Sequence, residues 1–303
     1  MPTFEHFQQS QTIKMLFMGH TGAGKTGAVV SLAAAGYKVR ILDLDKGVEI
    51  LKDFVMNPES PYRHSSDRAS SVLSGWLPIK GLWTEEQGQT VEKRISYVAL
   101  DETMKVVRFP TGTRLVPTGD LAGKIISQFD KWSDGAEDLG SILDWGPEVV
   151  LVIDGLSRFS DALFNFQLKL GGRLISKPEQ SDYNIAQLEL QRQLMLLYSD
   201  AIKCHVVMIC HIAFMETDQG PTRGFPQSIG KALGPKMGQF FNHALLAESV
   251  NQGGKRVVKT STGGLVELKS AAPMRVKGEY NLSTALAEYF LAVRGPAPSA
   301  EPK

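Results

Sequence analysis

Cysteine is scarce. The 303-residue chain has two, Cys204 and Cys210, six apart in an apolar run. No C-x-x-C pair and no Cys/His cluster of zinc spacing goes with them, so neither a disulfide scaffold nor a zinc site is expected. Two small residues of a buried strand account for the pair, and a reducing compartment fits. A surplus of charge is missing as well. With 33 basic and 32 acidic residues the chain is not a globally basic nucleic-acid binder, and any contact with phosphate backbones has to come from a local patch. No apolar run approaches the ~20 residues of a membrane-spanning helix, so no membrane partner is expected. The opening MPTFEHFQQSQTIK has no apolar core of a signal peptide, which points to a soluble cytoplasmic protein. Internal repeats are absent. So are N-K-x-D, the base-reading sequence of GTPases, and the HRD sequence of protein kinases.

What is present is a chain that is 43% hydrophobic, enough for one large α/β core or two small ones. Residues 13–18 (IKMLFM) read as a buried parallel strand, GAVVSLAAAGYK as a helix ended by Gly36, and 38–45 (KVRILDLD) as a second strand. That order is a βαβ unit. Residues of about 57–120, with five prolines, read as a partly β insertion. RISYVAL and KVVRFP, separated by DETM, suggest a hairpin there. The insertion is either a structural cover or a partner surface, the latter favoured by Trp76 and Trp83. Further on, 121–133 has helical spacing and 147–157 (PEVVLVIDGLS) is an apolar strand ending in Asp154. Residues 181–203 form a long amphipathic helix and 204–212 a strand reaching His211. HALLAESV, KRVVKTS and LVELKSA suggest β-structure, and 283–294 a closing helix. The tail, 295–303, has no means of burying a core.

The sharpest signal is Gly19-His20-Thr21-Gly22-Ala23-Gly24-Lys25-Thr26, a full match to G-x-x-x-x-G-K-[ST] set between a strand and a helix. Glycines let successive N–H groups converge on phosphates, and the helix that follows Thr26, from Gly27, adds its positive end. Lys25 would reach the β- and γ-phosphates of a bound nucleotide, and the Thr26 hydroxyl would ligate Mg²⁺. A carboxylate for that metal belongs at the end of a neighbouring apolar strand, where VVLVID places Asp154; capping of the next turn is the alternative. Asp43 and Asp45 share a face two residues apart on their strand. Either can orient the attacking water, Asp45 the better placed, or cap the turn before Lys46-Gly47.

Taken together, these segments resemble the RecA-like ATPases, nearest the compact RecA-core proteins of bacteriophages, some of which anneal single strands. The likeness covers roughly 13–56 and 122–282 and includes VVMICHI with His211, FPQSIGKALGPKMGQFFNHALLAES and LKSAAP. It implies one RecA-like domain over 1–294, with a mainly parallel central sheet flanked by helices. The resemblance places Asp45 where the family has a catalytic glutamate, one methylene longer. His211 falls at the γ-phosphate sensor, or is a plain strand-end histidine. Lys269 lies where a lysine reaches a neighbouring subunit's nucleotide, or is a solvated surface lysine. Residues 214–230, with Arg223 and Phe225, correspond to a DNA-binding loop; a second loop after Asp154 would offer Lys169, Arg173 and Lys177. Ordinary mobile loops are the alternative for both. The function implied is ATP- and Mg²⁺-dependent binding and annealing of single-stranded DNA by a homo-oligomer with ATP near the subunit interface. Its compartment would be the host cytoplasm for a phage-encoded member. The competing reading is an ATP-dependent loader or remodeller of a replication or single-strand-binding protein. A small-molecule kinase would need an arginine-bearing lid, and no segment supplies one.

Overall fold

The computed structural model describes residues 12–47, 50–51, 85–86, 89–90, 95–135, 137–217, 220–250, 255–262 and 264–297. The Trp76 and Trp83 region and the tail beyond residue 297 lie outside the described residues.

The β-strands carrying the architecture are β1 (Lys14–Gly19), β2 (Lys38–Asp43), β3 (Ile95–Ala99), β4 (Met104–Phe109), β5 (Gly112–Pro117), β6 (Val149–Asp154), β7 (His205–Cys210), β8 (Ile212–Thr217), β9 (Gly220–Pro226), β10 (His243–Val250), β11 (Lys255–Lys259) and β12 (Glu279–Asn281). The helices are α1 (Lys25–Ala28), α2 (Val30–Ala34), α3 (Leu121–Asp130), α4 (Leu156–Leu170), α5 (Gln180–Tyr198) and α6 (Ala285–Arg294). Eight strands form one sheet in the order β12-β11-β10-β1-β7-β6-β2-β3. From β10 to β3 the pairings are parallel; β11 and β12 add antiparallel at one edge. The chain is thus mixed α/β, with a large, mainly parallel sheet flanked by helices.

Parallel strands covered on both faces read as unbroken apolar runs, because every side chain meets a packed layer. Met15 and Phe17 of β1 face one layer with Val150, Val152, Val207 and Ile209, against Val29 and Leu32 of the phosphate-loop helices and Tyr289 and Phe290 of α6. Leu16 and Met18 face the other, with Leu151, Ile153 and Met208, against Ile125 and Phe129 of α3, Phe159 of α4 and Leu190 and Leu194 of α5. Both cysteines are buried and unbridged, as a strand core requires.

Four expectations change. The run Ile95–Ala99 falls inside the stretch read as an insertion, yet it pairs in parallel with β2 and is the last strand of the main sheet. Its apolar residues Ile95 and Val98 are buried there, a stronger draw than a local hairpin. The hairpin is instead β4–β5, turning at Pro110-Thr111. The segment after Asp154 is not a loop but α4, which carries Lys169 on its last turn. The segment 214–230 is largely a second hairpin, β8–β9, antiparallel with Ile212 opposite Pro226. LVELKSA forms only isolated bridges, Gly224 with Val266 and Ala244 with Lys269.

Candidate functional site

Register sets the site. Gly19 pairs with Ala247, Met18 with Cys210 and Asp154 with both Ile209 and Asp43, so the carboxyl ends of β1, β2, β6 and β7 finish at one edge. Open α/β sheets take ligands at that edge.

The phosphate loop curls there. Gly22 and Gly24 hold φ of 78° and 87°, the left-handed region that glycine adopts without penalty. The first turn beyond has N–H groups without intrahelical acceptors. The helix is α1 followed directly by α2; at Val29 the bond tightens to an N–H donated to the Thr26 carbonyl at 3.2 Å. Lys25 folds back over the loop, its Nζ donating to the carbonyls of Gly19 and His20, each at 2.9 Å. Burial lowers the Lys25 pKa, while Cys210, Asp154 and Asp45 pull it upward. Thr21 Oγ1 lies 3.5 Å from His211 Nδ1, and the His20 ring stacks on Phe214 with centroids 5.7 Å apart. Ala23 is buried and Gly27 lines a cavity beside the loop.

Thr26 Oγ1 donates to Asp154 Oδ2 at 2.6 Å. Asp154 is 3% exposed, and burial pushes its carboxyl up to about 7, with Asp43 and Asp45 raising it further and Thr26 opposing. Among the described residues no three His, Cys, Asp or Glu side chains group to hold a metal ion alone. The Thr26–Asp154 oxygen pair fits Mg²⁺, which takes one or two protein oxygens and completes its shell with phosphate and water. A buried carboxylate already set against two others also favours a cation.

Asp45 sits beside this pair. Its Oδ2 is 3.5 Å from His211 Nε2 and its Oδ1 3.8 Å from Arg158 Nε. Burial raises its pKa, with His211 and Arg158 acting the other way. Burial and then Lys25 lower the His211 pKa, against Asp45. Asp43 acts on the backbone instead. Its Oδ1 accepts the Gly47 N–H at 2.9 Å, closing the turn that follows Asp45. The alternatives left open for the two aspartates thus separate, Asp43 as the cap and Asp45 facing the site.

Two glycines make this crowding possible. A Cβ on Gly47 would lie 2.9 Å from both Asp154 Oδ2 and Thr26 Oγ1. A Cβ on Gly155, at φ 120°, would lie 2.9 Å from the Asp45 carboxylate. Sequence reasoning passed over both, though a glycine directly after each candidate aspartate turn was a usable signal. It also passed over Arg158 and Arg256. A Cβ on Gly24 would come within 3.5 Å of Arg256 Nη1, so this arginine borders the loop from β11. A cavity of about 350 Å³ opens there, lined by Gly27, Ala28, Lys255, Arg256, Asn281 and Ser283 among others. Arg256 lies more than two hundred residues from the loop, so no local pattern could have announced it.

The remaining candidates stand apart from the loop. Lys269 donates its Nζ to the carbonyls of Phe241 (2.7 Å) and Gly238 (3.3 Å), ending the 3₁₀ turn Gly234–Phe240. Lys169 is ion-paired with Asp120. Arg173 holds Asp182 through Nε at 2.9 Å and through Nη2, and Asp182 in turn caps α5 by accepting the Glu179 N–H at 2.8 Å. Arg223 pairs with Glu267 at 2.7 Å on the β8–β9 hairpin, where Phe225 is half-buried. No helix among the described residues is long and apolar enough to cross a membrane. No protein-family model matches the chain, and no curated protein sequence matches it.

Proposed function

We propose that the protein binds and hydrolyses ATP with Mg²⁺ and couples this to single-stranded DNA, in the manner of the RecA-like ATPases it resembles. One observation carries the reading: the phosphate loop, the Thr26–Asp154 pair and the Asp45–His211 pair converge on one sheet edge, though the sequence spreads them over nearly two hundred residues. The loop N–H groups and Lys25 would cradle the β- and γ-phosphates, Lys25 exchanging two carbonyls for phosphate oxygens. Thr26 and Asp154 would hold Mg²⁺, which neutralises charge on those phosphates. The base and sugar would enter the cavity between α1 and β11–β12. Asp45 is the general base. It takes a proton from water as the water oxygen bonds to the γ-phosphorus and the bond to the β–γ bridging oxygen breaks. A carboxylate raised by burial is a better acceptor for that proton.

His211 is the link outward. It lies between the end of β7 and the start of β8, so a contact from its ring to the γ-phosphate acts directly on the β8–β9 hairpin. His20 touches the same hairpin through Phe214. Arg223 would exchange Glu267 for a DNA phosphate.

The test is ATP turnover alone, with single-stranded DNA and with duplex DNA. Stimulation by single strands is expected, and Lys25→Ala should abolish turnover and ATP-dependent DNA binding while the protein stays folded. Wild-type protein without ATP turnover overturns the enzymatic reading. Turnover indifferent to both DNAs but raised by a replication protein would favour the loader reading instead.

A further inference from the structure

Lys169 and Arg173 already face carboxylates, and Arg223 would first have to leave Glu267, so the cations that meet a polyanion without giving up an acid lie elsewhere. Three are on the β4–β5 ribbon. Lys105, Arg108 and Arg114 are exposed, and among the described residues none is paired with an acid. The run Met104–Pro117 contains no Asp or Glu at all. Arg114 lies over the Phe109 ring, 5.4 Å from its centroid, which holds the guanidinium in place without neutralising it.

The ribbon also bares aliphatic surface. Val106 and Leu115 are directly opposite each other on one face and are 65% and 66% exposed; Met104 on the same face is 50% exposed. Arg108 shares this face, whereas Lys105 and Arg114 project from the other. Cations on both faces of a narrow ribbon, with a bare apolar strip on one, match a flexible ligand that wraps it and presents phosphates and unstacked bases together. Single-stranded DNA does so, while a duplex hides its bases.

Placement ties the ribbon to the nucleotide edge. It follows β3, whose Ala99 is in register with Asp43, so it rises from the edge that carries Asp154. Its base is fixed by Glu102 Oε1, which accepts from the Gly119 N–H at 3.1 Å and the Thr118 hydroxyl at 3.3 Å. Lys46, in the turn after Asp45, bonds Asp101 at 2.6 Å.

The geometry points to β4–β5 as a DNA-binding arm that a single strand wraps: Arg108 on one face and Lys105 and Arg114 on the other neutralise its phosphates, while Val106 and Leu115 lie against its bases. This rests on the reading that single-stranded DNA is the partner. The test is fluorescence anisotropy of a labelled oligothymidylate with the full chain, with and without MgATP, over about 50 to 200 mM salt. The Lys105→Ala/Arg108→Ala/Arg114→Ala variant should bind at least tenfold more weakly. Its slope of log K against log salt should be shallower by about 2, at roughly 0.7 per lost phosphate contact. Val106→Ser/Leu115→Ser keeps the cations, so it should lose affinity with the slope unchanged. Both variants should keep wild-type ATP turnover measured without DNA. A triple variant with wild-type affinity and slope overturns the arm and leaves the proposed function standing. Wild-type protein that binds no single strand, including one that binds anionic vesicles instead, overturns the DNA reading and the arm together.

Discussion

Gly155 shows how closely the site depends on single residues. Its φ of 120° is costly for any residue with a Cβ, and that Cβ would displace the Asp45 carboxylate 2.9 Å away. Gly155→Ala should therefore lower kcat on the order of tenfold to a hundredfold while ATP affinity, set by the loop, stays within a few-fold. Unchanged kcat would mean Asp45 is not the base. Asp154 makes a prediction of opposite kinds for stability and function. Its folded pKa, about 7, lies above the 3.8 of an unfolded carboxyl, so its contribution to stability is complete only below that value and is lost progressively as pH rises to 7. Each pH unit between the two pKa values is worth about 1.4 kcal/mol, so the loss approaches a few kcal/mol. In nucleotide-free protein without Mg²⁺, Asp154→Asn should thus raise Tm at pH 8 more than at pH 5. The same variant should lose the Mg²⁺ dependence of ATP binding. Thermal melts across pH and a titration of Mg²⁺ check the two halves separately.

At the scale of elements, helices and hairpins decide which charges are available. Arg173 looks like a candidate DNA contact in the sequence, but α5 needs it: the guanidinium holds Asp182, whose carboxylate caps the first turn. Arg173→Ala should lower Tm and leave single-strand affinity unaltered; a loss of affinity with unchanged Tm would restore its nucleic-acid role. The β8–β9 hairpin is the opposite case, a pair of strands with little covering them. Phe214, 45% exposed, packs its ring on His20 of the phosphate loop. Phe214→Ala should weaken the effect of single-stranded DNA on ATP turnover, with DNA-independent turnover within about twofold, since the catalytic groups are untouched. DNA stimulation at the wild-type level would show that the stack carries no coupling.

For the whole molecule, the site is a product of sheet assembly. Four strands, separated by helices on both faces, have to be in register before Thr26 meets Asp154 or Asp45 meets His211. A ligand that joins these groups binds only the folded chain and stabilises it, by about 2.7 kcal/mol at a free concentration 100 times Kd. MgATP should accordingly raise Tm by several degrees in wild-type protein. It should not do so in Lys25→Ala, which a differential scanning melt would show.

By itself the sequence determined the phosphate loop, the parallel-sheet class and the carboxylates at strand ends, because each is written in neighbouring residues. A glycine-rich run before Lys25-Thr26 and an apolar run ending in Asp154 hold their meaning at any distance from each other. Tertiary structure alone decided that Ile95–Ala99 is a core strand, that Arg158 and Arg256 border the site, and that Lys169 and Arg173 are committed to carboxylates. Those outcomes depend on which strand edges and charges become neighbours once two helical layers close on the sheet, and pairings over such sequence separations leave no local pattern.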